Sequence, residues 1–285
     1  MAKYQHILFP VDFSPQVNSA IPYVAAFARE LDAKVTLLSV VPPIWAGRGP
    51  KPEYADELEI STRKRLDGAL TAEVQGLSVE RVVVSGEPAA GILGYAKNHG
   101  VDLIMMPTHG YGTFRSLLIG SVTAKVLHDA TCPVWTAAHA AEHRTQQRPR
   151  YLPEKIICCV DGGPTSVQQL QWAAQFSNQF GAQLQLLHVI PPVADWGALI
   201  GDRQLEEEER EMARKRVAAL CAEARVAAPL EVEVGRISEV VASKVVEEDA
   251  DLLIIGRGQM GATLGRLRTH AYEIIQRSAC PVMSV

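Results

Sequence analysis

The feature that most constrains the fold of this chain is an internal duplication. The segment HILFPVDFSP aligns with KIICCVDGGP, which places Asp12 149 residues before Asp161. Four further landmark pairs keep this separation to within one residue: Val40 and Val189, Gly86 and Gly235, Asp102 and Asp251, and Cys132 and Cys280, the last at 148. Matches at one separation indicate a repeated domain of roughly 140 residues, an ordinary domain size.

The join between the two copies is the polar, proline-containing stretch HAAEHRTQQRPRYLPE. Such a composition is typical of a linker. We therefore predict a first domain over residues 1–140, a linker over 141–153 and a second domain over 154–285.

Each copy alternates short apolar runs with longer stretches of helical period. The predicted strands of the first copy are Ile7–Val11, Lys34–Val41, Val79–Val84, Leu103–Met106 and Val134–Ala137. Those of the second are Ile156–Val160, Gln183–Ile190, Leu230–Val234, Leu252–Ile255 and Val282–Val285. The clearest helices are predicted at Asn18–Leu31, Glu53–Glu73, Val122–Asp129, Val167–Phe180 and Gln204–Ala224. Apolar strands alternating with helices favour a parallel sheet covered on both faces, so the predicted fold class is α/β, a doubly wound sandwich made twice.

The composition argues against several classes of protein, among them nucleic-acid-binding, membrane and secreted proteins. Lys and Arg number 28 against 32 Asp and Glu, so no basic excess points to nucleic acid or an acidic membrane. No apolar run reaches the roughly 20 residues of a membrane span, and the first one contains a proline, unlike a signal peptide. Five cysteines without a C-x-x-C motif suit a reducing compartment, and we interpret the adjacent Cys158 and Cys159 as buried apolar fillers. We expect a cytoplasmic protein.

Candidate binding residues lie where predicted strands of the first copy end. Ligands of an open parallel sheet bind beyond the carboxyl ends of its strands, where the strand order reverses. Asp12 follows the first strand and is suited to accept hydrogen bonds from ribose hydroxyls. After the fourth strand, Gly110 and Gly120 let backbone approach a ligand, and Ser121 is the expected N-cap of a helix whose free amides attract phosphate. Together these residues indicate a mononucleotide site.

Each of these residues also has a purely structural interpretation. Gly110 and Gly112 suit ordinary turns, and Ser121 suits an ordinary cap. Asp12 can cap the helix that follows it, and His109 can lie in a surface loop. Their combination at one edge of the sheet is what favours binding.

The chain resembles the tandem universal stress proteins. The resemblance is carried by V-D-x-S after the first strand, by G-x-x-G, nine residues and G-S after the fourth, and by C-P-V before the last. In that family, whose domains are adenine nucleotide α-hydrolase-like, the glycine pattern marks the members that bind ATP. Gly110, Gly120 and Ser121 match the pattern, whereas Pro107 replaces its first glycine and lacks an amide donor.

The resemblance implies an ATP site, with Mg²⁺ as a potential companion. We predict no catalytic and no metal-ligating residue. Its residues would be Pro10, Val11, Asp12 and Val40 around adenine and ribose, Met106, Pro107, Thr108, His109 and Gly110 beside ribose and phosphates, and Gly120, Ser121 and Val122 at the phosphate tail.

The second copy departs from this pattern. Arg268 and Thr269 replace the Gly-Ser pair, and Gln259 replaces Gly110. We predict an altered or silent site, or one in which arginines hold an anion.

The loop of the second copy also spells G-x-G-x-x-G. Its glycines are Gly256, Gly258 and Gly261, but the motif follows the fourth strand, and Pro281 stands where a dinucleotide-binding domain needs an acidic residue. These departures argue against a Rossmann dehydrogenase.

The sequence predicts a non-catalytic stress-response or signalling protein that ATP switches through its first domain. Arg115 is the one Lys or Arg of the loop from Pro107 to Ser121, which has no acid, and Lys125 is expected to face solvent. Two alternatives stay open: an interaction scaffold without nucleotide, and a slow ATP hydrolase. The resemblance further implies that the last strands of the two domains meet, with Trp135 in the interface, and it allows a homodimer.

Overall fold

The computed structural model describes residues 4–43, 52–110, 119–137, 150–163, 165–192, 203–257 and 266–285, without the side chains of 52–55, 203–205 and 266–269. The chain forms two compact units, Met1–Ala137 and Ala138–Val285. Among the described helices, none has both the length and the apolar character needed to cross a bilayer.

The first unit is a parallel sheet flanked by four described helices. Its strands are β1 His6–Pro10, β2 Lys34–Val41, β3 Val79–Ser85, β4 Leu103–Met106 and β5 Val134–Thr136. Its helices are α1 Pro15–Leu31, α2 Pro52–Gly68, α3 Pro88–Asn98 and α4 Ser121–Asp129. The strand order is β3-β2-β1-β4-β5. The order reverses between β1 and β4, whose residues Ile7 and Leu103 pair in parallel and are fully buried.

The second unit repeats this plan. Its strands are β6 Lys155–Cys159, β7 Gln183–Ile190, β8 Leu230–Val234, β9 Leu252–Ile255 and β10 Val282–Ser284. Its helices are α5 Ser166–Phe180, α6 Arg203–Ala224, α7 Ile237–Glu247 and α8 Arg266–Arg277. The order β8-β7-β6-β9-β10 is the same as in the first unit. The predicted α/β fold, two tandem doubly wound domains, is confirmed.

The predicted strands lie within one residue of the observed ones at each end, but three helix ends were predicted wrongly. α1 begins at Pro15 rather than Asn18, because proline fits the first turn of a helix and the backbone carbonyl of Ser14, at the N-cap position, accepts the N–H of Val17 at 3.1 Å. α2 ends at Gly68 rather than Glu73. The N-cap of α4 is Gly120 rather than Ser121, with φ −59° and ψ 146°, so Ser121 is already helical.

Candidate functional site

A cavity of about 700 Å³ lies at the carboxyl ends of β1, β2 and β4 in the first unit. This volume is within the usual range for a small-molecule site. Eleven of the twelve predicted site residues line it: Pro10, Val11, Asp12, Val40, Met106, Pro107, His109, Gly110, Gly120, Ser121 and Val122. The twelfth, Thr108, is buried at 3% exposure.

Asp12 performs two tasks with its two carboxylate oxygens. Oδ1 accepts the backbone N–H of Ser14 at 2.9 Å, which fixes the turn before α1. Oδ2 faces Gly110 so closely that a β-carbon built on this glycine would lie 1.9 Å from it. One side chain therefore both forms the turn and lines the cavity. Gly110 must lack a side chain for the carboxylate to keep this place.

The backbone at the start of α4 is fixed against the loop that follows β4. The N–H of Gly120 donates to the carbonyl oxygen of Thr108 at 2.8 Å. The hydroxyl of Thr123 donates to the carbonyl oxygen of Pro107 at 3.2 Å. A β-carbon on Gly120 would lie 3.3 Å from the Cα of His109, tighter than most contacts. The first amides of an α-helix have no partner within the helix, so those of α4 are available at the cavity.

Pro107 and His109, in the loop that follows β4, also line the cavity. Pro107 offers no amide, so it can contribute only its carbonyl, which Thr123 already engages. The ring of His109 has Nδ1 at 3.2 Å from the Thr108 hydroxyl and Nε2 at 3.5 Å from the Gln16 side-chain nitrogen. His109 therefore lines the cavity with its ring held between two side chains.

Val40 lines the cavity from β2 and is pressed against α3. A β-carbon on Gly91 would lie 2.9 Å from the Cγ1 of Val40. Because Gly91 has no side chain, α3 can approach the strand closely. Val40 thereby forms a rigid apolar wall.

Two cavity residues escaped the sequence analysis. Phe13 has φ of 63°, a left-handed conformation that is costly for a non-glycine residue. Its ring lies under the guanidinium of Arg65, whose Cζ is 4.1 Å from the ring centroid. Phe13 is the variable position of the V-D-x-S motif, and nothing in the sequence predicts that α2 brings Arg65 over it.

Lys125 is exposed, as predicted, and forms an ion pair with Glu87 at 3.3 Å. Hydrogen bonds from the N–H groups of Ala90 and Ala89, together with Lys125, lower the pKa of Glu87. Glu87 is the N-cap of α3, so this charge pair stabilises a helix start. Arg115 lies outside the described residues. The described part of the chain contains no group of three His, Cys, Asp or Glu residues that could hold a metal ion.

The second unit has its own cavity, of about 510 Å³, at the carboxyl ends of β6, β7 and β9. Asp161 lines it, but one of its oxygens accepts both the N–H of Gly163 at 2.8 Å and the hydroxyl of Ser166 at 2.9 Å. This carboxylate is therefore engaged by the turn before α5 and by the side chain of the first residue of that helix. The predictions for Gln259, Gly258 and Gly261 lie outside the described residues, as do those for the Arg268 side chain.

The sequence matches the Universal stress protein family twice, over residues 3–137 and 153–285. The chain belongs to the universal stress protein family. The resemblance noted in the sequence is thus confirmed, and both halves of the chain carry the family's domain.

Several relatives share its length or its fold. A universal stress protein of Mycolicibacterium smegmatis is 26% identical over 300 residues, which cover 98% of this chain and 96% of that protein. Universal stress protein MJ0577 of Methanocaldococcus jannaschii is 27% identical over 150 residues, 46% of this chain. The crystal structure of a universal stress protein from Archaeoglobus fulgidus covers 99% of this chain and 96% of its own, with a TM-score of 0.69 and 19% identity, and so supports the tandem fold.

The structure pairs none of the five cysteines, all of which it describes, in a disulfide. Cys158 is fully buried, and burial raises its pKa to about 12. Cys159 was predicted to be a buried filler, but it is half-buried and lines the cavity of the second unit. Burial raises the pKa of its thiol well above the usual value, which makes it a poor nucleophile.

Proposed function

We propose that this universal stress protein binds ATP in its first unit and acts as a non-catalytic switch in stress response or signalling. The observation that carries the proposal is the contact between Asp12 Oδ2 and Gly110 at the mouth of a 700 Å³ cavity. A carboxylate held against a bare backbone, beside a helix start, suits a ligand that has hydroxyl groups at one end and phosphates at the other.

The lining fits the parts of ATP. Val40 and Pro10 offer an apolar wall to adenine, and Asp12 would accept hydrogen bonds from ribose hydroxyls. The amides of Ser121 and Val122 would hold the phosphate tail, because the dipole of α4 and its unpaired N–H groups favour anions. Side chains at Gly110 and Gly120 would fill the space between these parts.

The proposal assigns binding without a reaction. Lys125, the lysine closest in sequence to the phosphate end, is paired with Glu87, the N-cap of the preceding helix α3. Adenine burial and helix-start hydrogen bonds supply affinity for the ground state, which does not by itself accelerate hydrolysis. Mg²⁺ would enter with the nucleotide, held mainly by the phosphates.

Pro107 favours one competing function. If the missing amide donor abolishes nucleotide binding, the protein is an interaction scaffold. We assign the protein to the cytoplasm, without a nucleic-acid or membrane partner. Pairing of the two last strands and formation of a homodimer stay predictions of the family resemblance.

The experiment is the nucleotide content of freshly purified protein, followed by ATP calorimetry. We expect about one ATP per chain, lost in Asp12→Ala and Gly120→Arg and retained in Asp161→Ala. Gly94→Ala is a suitable control, since a β-carbon there meets nothing within 4 Å.

Each other result has a definite meaning. No bound nucleotide and no heat would overturn the proposal in favour of the scaffold. Two ATP per chain would contradict the assignment to the first unit. Turnover that disappears in Asp12→Ala would replace the non-catalytic switch by a slow hydrolase.

A further inference from the structure

The cavity of the second unit contains a polar pair that its counterpart lacks. His188 occupies the place that Ser39 holds in the first unit, and Gly162 the place of Phe13. Arg216 corresponds to Arg65, since each lines its cavity and immediately precedes a buried residue of the same helix. The arginine that both cavities share is therefore flanked in the second unit by two residues, His188 and Gly162, that differ from their counterparts in the first.

The protonation pattern of His188 follows from its contacts. The ring is buried at 4% exposure, and Nδ1 lies 2.6 Å from the carbonyl oxygen of Val160. Because a carbonyl oxygen only accepts, Nδ1 carries the hydrogen. In the neutral ring Nε2 is then an acceptor, and it lies 3.4 Å from Nη2 of Arg216, which donates to it.

The absence of a side chain at Gly162 lets the guanidinium reach this position. A β-carbon at Gly162 would lie 3.1 Å from Nε and 3.4 Å from Cζ of Arg216. Gly162 has φ of 76°, the conformation that Phe13 adopts in the first unit at 63°. A phenylalanine here would therefore keep the backbone and displace the arginine.

The charges around this cavity suit a single negative charge. Among the described residues, Arg216 forms no ion pair with a carboxylate. Among the described residues of the lining, the acids are Asp161, whose oxygen accepts the N–H of Gly163 and the hydroxyl of Ser166, and Glu209, seven residues before Arg216 and so roughly 10 Å away along α6. Two acids around one guanidinium disfavour a polyanion such as a triphosphate.

The helix start that would hold phosphates is also altered. α8 begins at Arg266, whereas Ser121, the first residue of α4, aligns with Thr269. The N–H of His270, aligned with Val122, therefore lies inside the helix, where such groups bond to the carbonyl four residues earlier. The rest of the lining is mostly aliphatic, with Val189, Ile255 and Ile274 among its residues.

We propose that the second unit binds a small organic monoanion with an apolar body, an aliphatic or aromatic monocarboxylate. Its carboxylate pairs with the guanidinium that His188 orients, and its body packs against Val189, Ile255 and Ile274. The site is independent of ATP binding in the first unit. The universal stress protein thereby senses two ligands of different chemistry.

Octanoate titrated into the full-length protein tests this proposal, with calorimetry for affinity and isoleucine methyl NMR for location. We expect the methyl signals of Ile255 and Ile274 to shift, with octan-1-ol, inorganic phosphate and ATP failing to produce these shifts. Arg216→Gln should weaken octanoate binding roughly tenfold or more, because a charge-assisted hydrogen bond is lost.

Three further variants separate the site from general effects. Gly162→Phe should abolish octanoate binding by displacing the guanidinium, and His188→Ser should weaken it. Arg214→Gln is the matched control, since Arg214 is exposed on the same helix and paired with Glu207 at 3.0 Å.

Two sets of results would overturn the proposal. One is octanoate affinity unchanged in Arg216→Gln, or no shift at Ile255 and Ile274. The other is octan-1-ol binding as tightly as octanoate, or ATP displacing octanoate from this unit. Asp12→Ala should leave the octanoate titration unchanged whatever it does to ATP, so failure of one assignment is distinguishable from failure of the other.

Discussion

The two units share a fold and an arginine, yet their cavities differ at the turn after the first strand. In the first unit, Phe13 accepts a strained left-handed conformation and holds Arg65 above its ring. In the second, Gly162 adopts that conformation without strain, and Nη2 of Arg216 lies 3.4 Å from Nε2 of His188. The presence or absence of one side chain after the first strand therefore determines where the guanidinium lies in each cavity. The two units thus keep one fold while the side chains that line their cavities differ.

The opposite edge of the sheet shows a complementary contrast. There the first unit uses aromatic and histidine contacts: the rings of Tyr95 and His99 stack at 3.9 Å between centroids. At the matching positions the second unit has Lys244 and Glu248, which belong to ion-pair networks. The edge at the carboxyl ends of the strands, which carries the cavities, and the opposite, structural edge thus differ between the units in separate ways.

The largest expected effect concerns an aspartate that both units keep at this structural edge. Asp251 accepts the N–H groups of Glu154 and Lys155, both at 3.0 Å, with its side chain 1% exposed and Arg150 at 3.4 Å. Asp251→Ala should lower the free energy of unfolding by about 3 kcal/mol, because it leaves two part-buried backbone donors without their acceptor and leaves Arg150 only its more exposed partners Asp249 and Glu154. Urea unfolding measures the loss.

Asp102 provides the comparison for that variant. It accepts the N–H groups of Gln5 at 2.8 Å and His6 at 3.0 Å, and it is less buried than Asp251. Asp102→Ala should cost less, about 2 kcal/mol. Equal losses of unfolding free energy in the two variants would show that the hydrogen bonds of Asp251 and Asp102 contribute equally. Unchanged hydrogen exchange at Glu154 and Lys155 in Asp251→Ala would show that Asp251 does not hold these amides.

The next effect tests the ligand-binding edge. Gly110→Ala places a β-carbon where Asp12 Oδ2 now lies, 1.9 Å away, so the carboxylate must leave the cavity mouth. We expect a loss of ATP affinity of roughly a hundredfold, about 2.7 kcal/mol. Calorimetry with ATP measures it. Retained affinity in Gly110→Ala would mean that Asp12 does not contact the nucleotide.

Two glycines of α3 should respond in opposite ways to replacement by alanine. Gly91→Ala brings a β-carbon to 2.9 Å from Val40 Cγ1, and this overpacking should destabilise the first unit by about 1–2 kcal/mol. Gly94→Ala meets no atom within 4 Å and should stabilise α3 by about 0.5–1 kcal/mol. Thermal unfolding of both variants provides the measurement. Changes of the same sign would mean that α3 does not press on Val40.

The two units also show which features can be predicted from the sequence and which depend on packing. The apolar runs predicted each strand of the described residues, most directly β4 and β9, because a strand buried on both faces leaves little choice of residue. Asp12 and Gly110 were each predicted to lie at the site, but their contact was not, since it joins two loops far apart in sequence. At the separation of 149, Arg65 aligns with Arg214, whereas the cavities pair it with Arg216. The register of a helix over a sheet is set by packing, so alignment alone could not identify this arginine.

The smallest expected effect is a difference in acid sensitivity between the units. The hydrogen bond from Lys155, which is also the closest cation, lowers the pKa of Glu248 below its usual 4.5. A carboxylate whose pKa is lower in the folded state adds stability above its unfolded pKa and loses it as the pH falls through the folded pKa. Glu248→Gln should therefore reduce stability at pH 7 by less than about 1 kcal/mol, because both side chains are about 30% exposed. The deficit should shrink as the pH falls below 4.5 and through the lowered pKa of Glu248, because the wild-type carboxylate is then neutralised as well. Urea unfolding from pH 7 to pH 3 measures this convergence, and Lys155→Met should reproduce it. A constant difference across this range would show that the Lys155–Glu248 pair is not what separates the acid response of the second unit from that of the first.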